Sequence, residues 1–228
     1  MSTVITPRDP LTQAQGVEAG YAQTARRWPA QPLVRRPHSL SELSGPRVQG
    51  RLAEIRGDLA GYGATRAIGQ LIRLRVRVVD EDGAPVPGAV VEAWHCNAAG
   101  KYIHPNDTHD APVDPNFYGA ARMVAGDSGL VELRTIKPGA YPVPDTNGWW
   151  RPPHVHFSVW GRVWLSRLVT QMFFPGEPLN EADAILNAIR DPGARGRCIA
   201  RLTPSKTTEL VYEYQLVVRG RKASPGMP

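Results

Sequence analysis

The sequence predicts an all-β chain: a β-sandwich core with long loops, an irregular N-terminal arm and one or two short helices. Three observations lead there. Gly and Pro number 22 each among 228 residues, well above the ~12% they jointly make up in ordinary proteins. So much Pro is incompatible with a helical bundle or a long coiled coil, and the glycines lack collagen's three-residue period. From Gln70, Ile72, Leu74, Val76 and Val78 alternate with Arg73, Arg75 and Arg77, the period of two expected of a half-buried strand. Further short apolar runs recur between turn-forming residues, at the spacing of sandwich proteins.

Residues 1–67 are poorly periodic and rich in Arg, Pro and Gly, and read as an N-terminal arm or extension. Within it, Ser39-Leu40-Ser41-Glu42-Leu43 fits a short helix capped by Ser39 or Ser41. Residues 68–228 read as the sandwich, so the chain is expected to be one structural domain. After the first strand, Asp80-Glu81-Asp82-Gly83 is a turn and Pro85-Val86-Pro87-Gly88 a second break. Strands are expected over 89–94, 129–136, 154–160, 168–174 and 210–218. The stretch 97–125 is too long for a turn and reads as an ordered loop of the kind that carries function. One short helix is expected over 181–190, closed by Asp191-Pro192-Gly193. The segment leading into 154 contains Pro138, Pro142, Pro144, Pro152 and Pro153. Proline fixes φ and donates nothing to a ladder, so this segment should be a rigid approach outside the sheet.

The formal charge is +6, which raises the question of nucleic acid. Of 27 basic residues 23 are Arg, but they are scattered, with no basic run and no nucleic-acid-binding pattern. The charge reads as a solvated surface, or as an attractor for an anionic small molecule or an acidic partner. Two cysteines a hundred residues apart, Cys96 and Cys198, make no disulfide framework. Cys96 is expected to sit in the apolar strand with Val90-Val91-Glu92-Ala93-Trp94, as a small buried hydrophobe. No apolar stretch approaches membrane-spanning length and no signal peptide is visible, so the expected location is cytoplasmic, with reduced thiols.

Five of the six histidines fall between 95 and 156. His154-Val155-His156 lies within an expected strand, where residues i and i+2 face the same side and the two imidazoles project together. That convergence suits a metal, although a pair of core or surface histidines has the same spacing. Tyr141 precedes them on the Pro-fixed segment, where it could equally pack beside Trp149 and Trp150.

At these residues the chain resembles the intradiol ring-cleaving dioxygenases, most closely their iron-bearing β chains that act on protocatechuate. The matching blocks are Trp94; Gly100-Lys101-Tyr102-Ile103-His104; Asp114-Pro115-Asn116-Phe117; Thr135-Ile136-Lys137-Pro138-Gly139-Ala140-Tyr141-Pro142; Trp150-Arg151-Pro152-Pro153-His154-Val155-His156-Phe157; and Leu168-Val169-Thr170-Gln171-Met172-Phe173-Phe174. They cover nearly everything after residue 70.

The resemblance implies a non-haem Fe(III) ion held by Tyr102, Tyr141, His154 and His156. Phenolate is a hard anionic ligand that favours Fe(III). It further implies that a catechol-type substrate displaces Tyr102, which takes up a substrate proton, and that O2 opens the ring to a muconate-type dicarboxylate. Arg151 would stabilise negative charge on the ring. Gln171 and Ile185 match positions that line the pocket, Trp94 would pack behind the ligands, and Tyr21, in Gly20-Tyr21-Ala22-Gln23-Thr24, matches a segment that contacts the substrate carboxylate. The implied reaction is protocatechuate plus O2 to 3-carboxy-cis,cis-muconate, in aromatic catabolism. The implied partner is an α subunit in a hetero-oligomer, with no nucleic acid and no membrane. The filled ligand positions distinguish the chain from the family's ligand-free α chains. Members that cleave catechol or hydroxyquinol begin with a helical dimerisation domain, which residues 1–67 do not show. Val143-Pro144 stands where β chains carry an aromatic and then a basic residue, which leaves another catechol open as the substrate. A non-catalytic β-sandwich subunit is the other alternative.

Overall fold

The structure is a computed structural model that describes residues 10–13, 57–61, 65–144, 146–160, 167–218 and 222–227. Tyr21 and the helix expected near Ser39 lie outside the described residues.

Two four-stranded sheets enclose one apolar core. In the first, the order is β4 (Leu130–Ile136), β1 (Leu71–Val79), β10 (Leu210–Val217) and β9 (Arg201–Thr203). In the second it is β3 (Ala120–Val124), β2 (Val90–Trp94), β7 (His154–Trp160) and β8 (Arg167–Phe173). The β1–β10 pair is parallel and every other pair within these sheets is antiparallel. The alternation in β1 works as expected: Ile72, Leu74, Val76 and Val78 are fully buried. They meet Val91, Met123, Val155, Phe157 and Val159 of the second sheet in the same cluster. Removing such aliphatic surface from water is what drives the sheets together. The outward arginines of β1 pair across the strands, Arg75 with Glu132 at 3.1 Å and Glu213 at 3.3 Å, and Arg73 with Glu209 at 3.1 Å. Part of the N-terminal arm belongs to this body. Leu59 and Ala60 are core residues, Asp58 pairs with Arg134 at 2.9 Å, and the Leu11 carbonyl accepts from Asp191 N at 3.0 Å.

Four expectations need correction. The stretch 97–125 contains β3, whose single alternation of Ala121 and Met123 is too brief to register as a strand; pairing with β2 completes it. β9 was not anticipated, being three residues long with no fully buried side chain. The Pro-rich approach is not wholly outside sheet structure: β5 (Tyr141–Pro142) pairs with β6 (Trp150–Arg151) as a two-stranded ribbon. Pro142 lacks a donor, which keeps that ribbon short. The helix expected over 181–190 is broken into a 3₁₀ turn, Pro178–Glu181, and the short helix α1, Ala184–Asn187. Asp191-Pro192-Gly193 opens a second helix, α2 (Pro192–Arg197), rather than closing the first. Asp191 caps its N-terminus and Pro192 takes the first helical position, where a missing N–H is harmless. Cys96 lies beyond the end of β2 and is buried, its thiol donating to the Gly139 carbonyl at 3.3 Å. Among the described residues, no helix is long and apolar enough to cross a membrane.

Candidate active site

β7 is the central strand of the site. Val155, Phe157 and Val159 point into the sandwich, so His154 and His156 must point out of the opposite face. Their Nε2 atoms are 3.2 Å apart. His154 Nδ1 lies 2.7 Å from the Pro152 carbonyl, which can only accept, so Nδ1 carries the proton and Nε2 keeps its lone pair. Neighbouring strands fix both rings. Trp94, opposite His156 across β2, stacks on it at 4.9 Å and 8°, and Phe173, opposite His154 on β8, stacks at 5.6 Å. Burial first, then the charge of Arg151 and the neighbouring His156, hold His154 well below its ordinary pKa. Its imidazole is therefore neutral and able to ligate.

Tyr102 lies in the long loop after β2 and Tyr141 at the start of β5, and the loops leading to them touch backbone to backbone. The Tyr141 hydroxyl lies 3.3 Å from His154 Nε2. Tyr102 meets Tyr141 edge-on at 5.3 Å, and its ring centre is 6.3 Å from that of His156. Asn97 ties the loops together: its side-chain oxygen accepts from Ala99 N and Lys101 N, and its carbonyl from Gly139 N at 2.9 Å. Asp107 fixes Tyr102 by accepting its backbone N–H at 2.7 Å. Two glycines permit the approach. A Cβ on Gly139 would sit 2.4 Å from the Ala98 carbonyl oxygen, and one on Gly100, at φ +82°, 2.3 Å from that of Ala140. Neither position has room for a side chain, and Gly100 is also in the left-handed region.

Arg151 faces Tyr141 across the β5–β6 ribbon and is buried. Its Nη1 lies 3.2 Å from His154 Nε2, Nη2 donates to Gln171 Oε1 at 2.7 Å, and Nε donates to Asp183 Oδ2 at 2.9 Å. The structure therefore brings seven expected residues into one constellation: Tyr102, Tyr141, His154, His156, Arg151, Gln171 and Trp94. Ile185 lies beside it, in the apolar cluster that includes Phe173. Sequence reasoning missed Asp183, Asn97 and Asp107. Asp183 had a usable signal, since a short acid before Ala184-Ile185-Leu186 is an N-cap pattern; nothing local to it signals Arg151, 32 residues earlier.

The donor set fits a cation. Two imidazole nitrogens 3.2 Å apart match a pair that both lie about 2.1 Å from one ion at near a right angle. The Tyr102 hydroxyl is buried without a hydrogen bond of standard geometry. Burial, then the adjacent Tyr141 phenol, push its pKa well above the usual phenol value. A phenol so placed loses its proton only to a strong positive charge. Beside the two imidazoles, the Tyr102 and Tyr141 phenols are the oxygen donors that an ion here could draw on.

Comparison with known proteins finds a family and several relatives. A family model described as Dioxygenase matches residues 43–220. The chain is 41% identical over 230 residues to the protocatechuate 3,4-dioxygenase beta chain of Burkholderia cepacia, across 98% of this chain and 97% of that protein. It is 32% identical over 120 residues to hydroxyquinol 1,2-dioxygenase of Rhizobium sp. (strain MTP-10005), across 48% of this chain and 39% of that one. The solved structure of 3-chlorocatechol 1,2-dioxygenase from Rhodococcus opacus 1CP shares the fold, with a TM-score of 0.54 and 24% identity over 69% of this chain and 62% of the other.

Proposed function

Since the chain belongs to the intradiol dioxygenase family and acts on catechol-type substrates, we propose that its substrate is protocatechuate, cleaved with O2 to 3-carboxy-cis,cis-muconate. The residues proposed to hold a non-haem Fe(III) ion are Tyr102, Tyr141, His154 and His156. The observation that carries this reading is that His156 Nε2 and the Tyr141 hydroxyl both lie within 3.3 Å of His154 Nε2, with the Tyr102 phenol beside them. Extent of likeness supports the substrate: the match to a protocatechuate 3,4-dioxygenase beta chain runs nearly end to end.

When bound, the ion supplies Lewis acidity that favours a doubly deprotonated catechol and makes its ring reactive toward O2. The chain does the rest. The Pro152 carbonyl keeps the proton of His154 on Nδ1 and so presents Nε2 inward. Tyr102, whose phenol strongly resists ionisation, is the group suited to take a proton from the incoming substrate and to hold it. Arg151 places a permanent positive charge beside His154, where it favours negative charge on the ring. Trp94 and Phe173 stack on the imidazoles and fix their planes. An α subunit completing a hetero-oligomer belongs to the same reading, as does a cytoplasmic location, which suits the two buried free thiols.

Oxygen uptake with protocatechuate and with plain catechol tests the substrate. At least tenfold higher kcat/KM for protocatechuate is expected. Equal or reversed preference would discard protocatechuate and favour a second reading, an enzyme for another catechol. Val143 and Pro144, which follow Tyr141-Pro142, favour that second reading, because they stand where the resemblance implies a pocket-shaping aromatic and a basic residue.

A further inference from the structure

Behind the site, Arg151 and Asp183 form an ion pair. The side chains of Arg151 and Asp183 are 1% and 0% exposed. A pair buried this completely is a poor stabiliser, because desolvation offsets most of the attraction and an apolar pair of similar volume often does as well. Its geometry points elsewhere. The Asp183 carboxylate takes Arg151 side-on, Nε at 2.9 Å and Nη2 at 3.2 Å, while Gln171 takes Nη2 at 2.7 Å. The rings of Trp149 and Phe173 lie 5.7 and 5.9 Å from the guanidinium carbon. Together these contacts set the plane and rotation of the guanidinium and leave Nη1 beside His154 Nε2. The same carboxylate accepts the Leu186 N–H at 2.7 Å, capping the helix that carries Ile185.

We infer that Asp183 is a positioning residue for ring cleavage: it clamps the Arg151 guanidinium so that Nη1 faces the site, and it locks that placement to helix α1. The inference rests on the reading of Arg151 as the group that favours negative charge on the substrate ring. Asp183 touches no reacting group itself and acts on the reaction through Arg151. An amide in its place would turn an N–H toward a donor or leave a buried guanidinium without its counter-charge.

The test compares wild type, Asp183→Asn, Asp183→Glu, Arg151→Gln and the double variant Arg151→Gln with Asp183→Asn. The measurements are kcat and KM for protocatechuate, iron per chain, and the slowly exchanging Nε–H proton of Arg151 in arginine-labelled protein, assigned by its loss in Arg151→Gln. Asp183→Asn should lower kcat about 10–100-fold, the range for groups that orient a site. KM and iron content should stay near wild type, and the Nε–H signal should vanish. Asp183→Glu keeps the charge and should restore the signal and most of kcat. In the Arg151→Gln background the Asn substitution should change kcat by less than about twofold. An equal fall in both backgrounds, or a full kcat with Asn at 183, would overturn the inference. Full kcat in Arg151→Gln alone would instead remove the reading of Arg151 beneath it. Should Asp183→Asn not fold, Asp183→Glu measured in the two backgrounds gives the same comparison.

Discussion

His95 and His154 are both fully buried, and both donate Nδ1–H to a backbone carbonyl at 2.7 Å, that of Cys96 and that of Pro152. Burial lowers the pKa of each. They differ in what the other nitrogen meets. His95 Nε2 takes the Thr135 hydroxyl at 2.8 Å, so its hydrogen bonds are complete within the chain. His154 Nε2 faces a second imidazole, a phenol and a guanidinium at once. Residue type and burial therefore do not separate a structural histidine from one in a reaction site; the identity of the groups around the second nitrogen does.

The largest effect expected from this contrast is on metal and turnover. His154→Ala should lose iron and lower turnover by well over ~100-fold, since even partners of metal ligands are worth 10–100-fold. His95→Gln should keep iron and turnover close to wild type. Metal analysis and oxygen uptake on the two variants would show it, and comparable iron loss in both would erase the distinction between the two pockets.

His95 should appear instead in the pH dependence of stability. Its pKa is pushed down by burial to about 4 from an ordinary 6.5. Below pH 6.5 the unfolded chain takes up a proton that the folded chain refuses. Stability from this group is thus complete above pH 6.5 and falls by about 1.4 kcal/mol per pH unit as pH drops toward 4, about 3 kcal/mol in all. Urea unfolding of wild type minus His95→Gln across pH 4–7 isolates the slope, and parallel curves would count against it.

Gly139→Ala should cost about 1–3 kcal/mol, because the new Cβ would sit 2.4 Å from the Ala98 carbonyl oxygen and the backbone has to give. It should also reduce turnover by pushing the Tyr141 loop off the Tyr102 loop. Thermal unfolding with an unchanged midpoint would show that the loops have slack. The smallest effect belongs to the outer face of the first sheet. Glu132→Gln removes an exposed partner of Arg75 and should move stability by less than ~1 kcal/mol, with no change in turnover.

The legibility of the sequence follows the range of the interactions. Strand β1 was legible because alternation is a local signal, and β7 because His154-Val155-His156 sits inside an apolar run. The pairing of the two imidazoles follows from strand geometry alone. The tyrosines were legible only through resemblance to a family, since nothing near Tyr102 in sequence says that it meets Tyr141. Gly100 and Gly139 appeared as letters in matching blocks, and the backbone contact between their loops supplies the reason for them. β3 and β9 escaped because short strands borrow their stability from neighbours. The break at 181–190 escaped because apolar spacing reads as continuous helix, while Asp183 and Asp191 each start a new turn by capping. Asp183 was hidden most deeply, because its partner is brought to it by the fold.

The visible absorption spectrum of the iron-loaded protein tests the central claim most directly. With Tyr102, Tyr141, His154 and His156 around one Fe(III), about one iron per chain should accompany a tyrosinate-to-iron charge-transfer band. That band should shift or collapse in Tyr141→Phe and persist in His95→Gln. A folded, iron-loaded wild type that is colourless, or a band indifferent to Tyr141→Phe, would contradict the assignment of the site.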